Sequence, residues 1–257
     1  MSHRILLIGG HGKVAQLLTP LLLQRSWSVT SMIRSQEQEP TILKLGENQP
    51  GKLDVLISSV EDVGSEADAS AIIKKVNPDW IVWSAGAGGS GGPSRTHAID
   101  NVAASAFSTA AAATPSVKKF LNISYIGSRR NRAPWWSDSE WAAAQAVNEG
   151  ALKAYHIAKL AADEALIAAR KTRGADFAGI GLRPGALTDG DATNGVSLGK
   201  IKARGGVSRQ KVAEVVAEVL DSEYPGGWLD LLAGEDSVGD AVARCVREKV
   251  DCYEGEA

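Results

Sequence analysis

The chain has 257 residues, 44% of them hydrophobic, and its 28 Lys and Arg against 30 Asp and Glu leave a formal net charge of −2. That balance argues against nucleic acid as a partner, since phosphate binding by counterion release needs a basic surface. Two cysteines, Cys245 and Cys252, and four scattered histidines exclude a disulfide framework and predict no metal site. No apolar run approaches the ~20 residues of a membrane span. Nothing near Met1 reads as a secretory signal, so the expected setting is cytoplasmic and the expected partner a small molecule.

Short apolar runs alternate with helical patterns. Residues 5–8 predict a buried strand, and 13–24 a helix with Val14, Leu17, Leu18, Leu21 and Leu22 on one face. Strands follow at 28–33 and 53–58, then a helix over 67–76 that stops before Asn77-Pro78, and a fourth strand at 80–84. A helix over 99–113, a strand at 119–124, a long helical region over 142–172 and a strand at 177–182 come next. A helix over 208–220, a strand at 228–232 and a helix over 238–246 end the series. Such alternation predicts βαβ units in one α/β domain over 1–257, with a parallel sheet covered on both faces. The segments from about 185 onward are expected to complete a substrate cleft.

The first strand runs into Gly9-Gly10-His11-Gly12-Lys13-Val14-Ala15, in which Gly9, Gly12 and Ala15 keep a Gly-x-x-Gly-x-x-Ala spacing. A strand, a glycine turn and a helix in this order set the free amides of a helix start, here from Lys13 and Val14 onward, against a diphosphate. Gly9 allows the tight turn, Gly12 the approach of backbone to the anion, and Ala15 the close packing of helix on strand. The second strand ends at Arg34-Ser35, where NAD-binding units carry an acidic residue for the ribose hydroxyls. A guanidinium beside a hydroxyl suits a 2′-phosphate that a carboxylate would repel, so the expected cofactor is NADP (NADPH).

The turn, followed in order by the stretches 117–124, 155–164 and 182–189, resembles the short-chain dehydrogenase/reductase superfamily, specifically its atypical, NmrA-like NAD(P)-binding branch. The end of the chain, over 234–256, is similar to the tail of a fungal-type subgroup. The resemblance implies a Rossmann-like doubly wound parallel sheet with a small C-terminal substrate-cleft portion. It implies that Tyr155 and Lys159, four apart and so on one helical face, are the catalytic acid/base pair. An ammonium nearby favours phenolate and eases proton exchange with a carbonyl or alcohol. Lys159 would also hold the nicotinamide ribose. Further cofactor contacts are expected from Ala85 and Gly86, in the glycine-rich run 84–92, and from Pro184 and Gly185. The family's substrate-polarising hydroxyl stands just past the fifth strand, where this chain has Ser124-Tyr125 rather than a pair of serines. Ser124 takes the catalytic position, with Tyr125 or neither as the alternatives.

Between Tyr125 and Tyr155 lie Arg129, Arg130 and Arg132, then Trp135, Trp136 and Trp141. Rigid rings with a few cations suit a lid over an apolar or aromatic substrate, which makes Tyr125, Trp135 and Trp136 the expected substrate contacts. A surface loop anchored by its tryptophans is the alternative, and the arginines are expected to be solvated. Three functions stay open on this fold: a NADP-dependent oxidoreductase acting on a carbonyl or alcohol, a non-catalytic NADP-binding redox sensor, and an isomerase or epimerase. The expected assembly is a monomer or homodimer.

Overall fold

Strand β1 (Arg4–Ile8) is apolar at every position after Arg4 because both its faces are covered: Ile5 and Leu7 pack into one layer, Leu6 and Ile8 into the other. It leads through the glycine turn to α1 (Lys13–Gln24), β2 (Ser28–Ile33), the short α2 (Glu39–Leu43) and β3 (Lys52–Ile57). Helix α3 (Glu66–Val76) starts where the Ser65 hydroxyl accepts the Asp68 N–H, and stops where Asn77 turns left-handed at φ 50°. After β4 (Trp80–Trp83) come α4 (Gly92–Thr96), a π-helical segment (His97–Ala103), α5 (Ala104–Ala113), β5 (Lys119–Ile123), α6 (Asp138–Glu149), α7 (Lys153–Arg173) and β6 (Ala178–Pro184). The C-terminal part adds β7 (Ala186–Thr188), β8 (Gly195–Leu198), β9 (Gly206–Ser208), α8 (Arg209–Asp221), β10 (Gly227–Gly234) and α9 (Val238–Arg247). The computed structural model describes residues 2–190 and 195–256.

Eight strands form one sheet in the order β3-β2-β1-β4-β5-β6-β10-β8, and only the edge strand β8 runs antiparallel to its neighbour. The chain steps outward from β1 to β3 and then crosses to the far side of β1 with β4. The ends of β1 and β4 therefore flank the switch point where open sheets of this kind take ligands. Ile8 pairs with both Met32 and Trp83, which brings the C-terminal ends of β1, β2 and β4 level there. Strands β7 and β9 pair separately, beside that end of the sheet.

Helices cover both faces. Leu18 and Leu22 of α1 meet Val212 and Val216 of α8 on one side, while Ile73 of α3, Phe107 of α5 and Leu166 of α7 close the other. Each such side chain, buried rather than exposed, stabilises the fold by about 1.5–3 kcal/mol. Among the described residues no helix is long and apolar enough to cross a membrane.

Three features depart from the expectations. The predicted helix over 99–113 begins as the π-helical segment, a distortion frequent at functional sites, and this segment carries Asp100 fully buried. The predicted region over 142–172 is two helices, because Gly150, a poor helix former, sits at the break with φ −99° and ψ −113°. The first of them starts earlier, at a capping box of Ser137 and Glu140. The antiparallel edge β8 and the β7/β9 pair are additions; both are too short to leave a periodic pattern.

Candidate active site

Two cavities open at the C-terminal ends of the strands. The first, about 210 Å³, is lined by Gly9, Gly12, Arg34, Ser84, Ala85 and Gly86, with Ser58, Ser59, Glu61 and Arg95 completing the wall. Gly9 holds φ +81°, and a Cβ there would stand 2.7 Å from the Ala85 backbone, so only glycine fits. The Gly12 N–H donates to the Gly9 carbonyl at 2.9 Å, closing the turn. Gly12 then serves as N-cap of α1 with no side chain to occupy the helix's first amides. An anion is the natural partner of amides so exposed. Val14 and Ala15 turn their side chains into the core, so only their backbone is available to a ligand. Lys13 does not line the cavity; its Nζ lies 2.8 Å from Asp189, across the mouth of a separate surface groove. Ser35 does not line it either.

Arg34 does line it, as expected from the sequence. Arg95 faces the same space from α4, held by Glu61 (2.9 Å), the Ala87 carbonyl (2.9 Å) and the Ser90 hydroxyl (3.0 Å). The Arg95 hydrogen bond, with the charges of Arg95 and Arg34, holds the Glu61 carboxyl below its ordinary range. Sequence reasoning missed Arg95 because Glu61 lies 34 residues away. Ser58 and Ser59 were findable, since they follow the third strand as Arg34 follows the second.

The second cavity, about 430 Å³, is lined by Ser124, Tyr125, Tyr155, Pro184 and Gly185, by apolar side chains of α6, and by Ala203, Arg204 and Gly205. Tyr155 and Lys159 sit one turn apart on α7. The Lys159 Nζ is 5.6 Å from the centre of the Tyr155 ring, and the Tyr125 ring lies against Tyr155 with centroids 5.7 Å apart. Lys159, the expected ribose contact, is buried and lines neither cavity: its Nζ donates to the Ile123 carbonyl and pairs with Asp100 Oδ1, each at 3.2 Å. The second oxygen of Asp100 accepts the Ala87 N–H at 3.0 Å, which ties the lysine to the loop after β4.

Burial, helped by the charges of Asp100 and Asp163, raises the Tyr155 phenol above its ordinary value, and Lys159 only partly opposes this. The phenol is therefore protonated at neutral pH. For Lys159, burial acts downward, but Tyr155, Asp100 and Asp163 outweigh it, so the amine stays charged.

The hydroxyls past β5 are already engaged. Ser124 donates to buried Asp163 at 2.6 Å, and Tyr125 donates to Asn148 at 2.7 Å. A group that polarises a carbonyl must donate a proton, so the expected role of Ser124 meets an obstacle: its proton faces a carboxylate. Asp163 also accepts Asn122 Nδ2 at 2.9 Å and lies 3.4 Å from Arg183.

Trp135 and Trp136 do not reach this cavity. Both indole N–H groups donate to the Ile201 carbonyl, at 3.0 and 2.8 Å, and both rings lie near the Arg129 guanidinium. Arg129 is not solvated as expected but fully buried, with Asp230 at 2.9 Å and Glu256 at 3.4 Å. Arg183 shares Asp230 at 2.9 Å and lies 3.9 Å from the centre of the Trp228 ring. The tryptophans thus shield a buried charge network instead of closing over a ligand. A charge left so far from water needs such partners.

Comparison with known proteins agrees with this architecture. Residues 9–223 match the family described as NAD(P)H-binding. A Bacillus subtilis protein named an uncharacterized sugar epimerase, YhfK, is 30% identical over 94% of this chain and 99% of its own. A Schizosaccharomyces pombe protein of the UPF0659 group is 28% identical over 95% of this chain and 96% of its own. The solved structure of a Bacillus halodurans protein, named as a candidate NAD-dependent epimerase/dehydratase, superposes with a TM-score of 0.73 at 23% identity, covering 95% of this chain and all of that one. With its glycine turn at the switch point of a Rossmann-like α/β sheet, the chain belongs to the NAD(P)H-binding family.

Proposed function

We propose that the protein is a NADP(H)-dependent oxidoreductase of the atypical short-chain type that reduces a carbonyl, or oxidises the corresponding alcohol, of a small apolar substrate. The observation that carries the reading is the Tyr155 hydroxyl. It has no hydrogen-bond partner among the described residues and lines a largely apolar cavity, with the Lys159 amine one helical turn on and 5.6 Å from the centre of its ring. NADPH supplies a hydride when bound. Gly9, Gly12 and the first amides of α1 would hold its diphosphate, and Arg34 its 2′-phosphate. Lys159, fixed by Asp100 and the Ile123 carbonyl, would face the ribose. Tyr155 would donate the proton to the substrate oxygen; burial raises its phenol, against the lowering expected from Lys159, so it holds the proton at neutral pH and depends on the charge of Lys159 to release it. Ala85, Gly86, Pro184 and Gly185 form the walls along this path. A reducing, cytoplasmic setting fits Cys245 and Cys252, both buried and unpaired, and a monomer or homodimer suffices for the reading.

The name of the Bacillus subtilis relative favours a second reading, epimerisation of a sugar. The two separate in a paired assay, in which purified protein is offered carbonyl compounds with NADPH and, separately, sugars with NADP+, the form that can accept a hydride from a sugar, and the nicotinamide absorbance is followed. A reductase consumes NADPH in proportion to product. An epimerase returns its cofactor every turnover and leaves the absorbance unchanged while the sugar's configuration scrambles.

A further inference from the structure

The second cavity has few groups left with which to read a ligand. Its apolar side-chain walls include Ile126, Ala143, Ala144, Val147, Leu152 and Leu187, and among the described residues no carboxylate lines it. Ser124 and Tyr125 spend their protons on Asp163 and Asn148. The backbone is engaged as well: the carbonyls of Gly127, Pro184 and Gly205 accept, respectively, Asn148 Nδ2 at 2.8 Å, the Ile126 N–H at 3.0 Å and the Ala186 N–H at 3.0 Å. A polyhydroxylated sugar would press several hydroxyls against apolar wall, and each polar group buried without a partner is costly.

Among the described residues two polar side chains of the cavity wall are uncommitted, the Tyr155 hydroxyl and Arg204. Arg204 makes no ion pair or side-chain hydrogen bond among the described residues, yet its backbone is fixed on both sides. The Ala203 N–H donates to Glu140 Oε1 at 3.2 Å, and the Gly205 carbonyl is held by Ala186. Two residues upstream of Ala203, the Ile201 carbonyl takes both indole N–H groups of Trp135 and Trp136. Glu140, the carboxylate in this frame, is occupied with the Ser137 N–H at 2.9 Å and with Ala203. The frame fixes the backbone of Arg204 at the wall of an apolar cavity, and its exposed side chain has no protein partner among the described residues. A guanidinium so placed offers a planar fork matched to a carboxylate.

We infer that the cavity takes an apolar carbonyl compound bearing one carboxylate, with the carbonyl toward Tyr155 and the carboxylate on Arg204, and that Arg204 selects this class. The inference rests on the oxidoreductase reading only for the part played by Tyr155; the part played by Arg204 is a matter of binding alone.

The test uses three aryl oxo acids that differ in the methylenes between carbonyl and carboxylate: benzoylformate, benzoylpropionate and benzoylpentanoate, each beside its methyl ester. Dissociation constants are measured by ligand-detected NMR on NADP-loaded protein, for wild type, Arg204→Ala and Arg204→Lys. At least one acid is expected to bind about tenfold or more tightly than its ester, the size of one charge-assisted hydrogen bond. Arg204→Ala should abolish that preference while leaving the ester's affinity in place, Arg204→Lys should keep part of it, and added salt should erode it. Equal binding of every acid and its ester, a preference that survives Arg204→Ala, or no binding of any acid would each overturn the inference. NADPH consumption on the same panel tells the two claims apart. Acid preference without consumption removes the oxidoreductase reading and leaves the inference standing. Consumption of esters without acid preference does the reverse.

Discussion

Asp100 and Lys159 form a buried ion pair, Oδ1 to Nζ 3.2 Å. The carboxylate sits in a π-helical segment, and its other oxygen holds the Ala87 amide, so one side chain positions both the lysine and the loop whose Ala85 and Gly86 line the first cavity. It also adds negative charge near Tyr155, which works against phenolate.

Asp100→Asn keeps the shape and removes that charge. The Tyr155 pKa should fall, because the charge of Asp100 is one of the causes that raise it. Tyrosine-labelled NMR, with Tyr155→Phe assigning the signal, reads this directly. An unmoved Tyr155 titration would mean that burial alone sets its value. Because Lys159 would be left buried without its counter-charge, the variant should also be less stable by roughly 3–5 kcal/mol.

Arg34 is the cation at the end of β2 in the wall of the first cavity, where the proposal puts the cofactor. Removing a charge-assisted contact costs about 1.5–3 kcal/mol, so Arg34→Ala should weaken NADPH more than tenfold and spare NADH. Titration by nicotinamide fluorescence checks it, and an equal loss for both cofactors would assign Arg34 another task. Arg95 is the second cation in that wall, and Arg95→Ala should be the milder change because Glu61 already engages its charge.

One charge network is fully buried: Asp230 bridges Arg129 and Arg183 with all three side chains sealed from solvent. Asp230→Asn leaves two buried guanidiniums short of a partner and should cost about 3–5 kcal/mol in urea unfolding. A loss near zero would show that Glu256 and Asp163 carry the pairing instead.

Burial pushes the Cys245 thiol up to about 11 and raises Cys252 as well. Neither should react with a thiol reagent in the native protein at neutral pH, and both should react after denaturation. A thiol that titrates rapidly in the folded state would place one of them at the surface.

Local order was legible in the sequence. The bounds of α1 and β2 follow from periodicity, and the glycine turn lies where strand, turn and helix predict it. Tyr155 and Lys159 share a face because their spacing is helical. The partners that decide what these residues do come from far along the chain: Ser124 finds Asp163 39 residues on, and Arg129 finds Asp230 101 residues on. No spacing announces such pairs. The tryptophans were misjudged for the same reason, since a ring at a cavity and a ring shielding a buried arginine leave one composition. Gly150 was the missed signal for the helix break, standing inside an otherwise helical run.

The central claim is that Tyr155 donates a proton to a substrate oxygen. It is tested most directly by the rate of NADPH consumption for wild type and Tyr155→Phe on the best carbonyl of the panel, with NADPH affinity measured on both. Loss of the hydroxyl should slow turnover by roughly 10²–10⁴, the worth of general acid catalysis, while the cofactor binds as before. A Tyr155→Phe protein that turns over as fast as wild type would contradict the account.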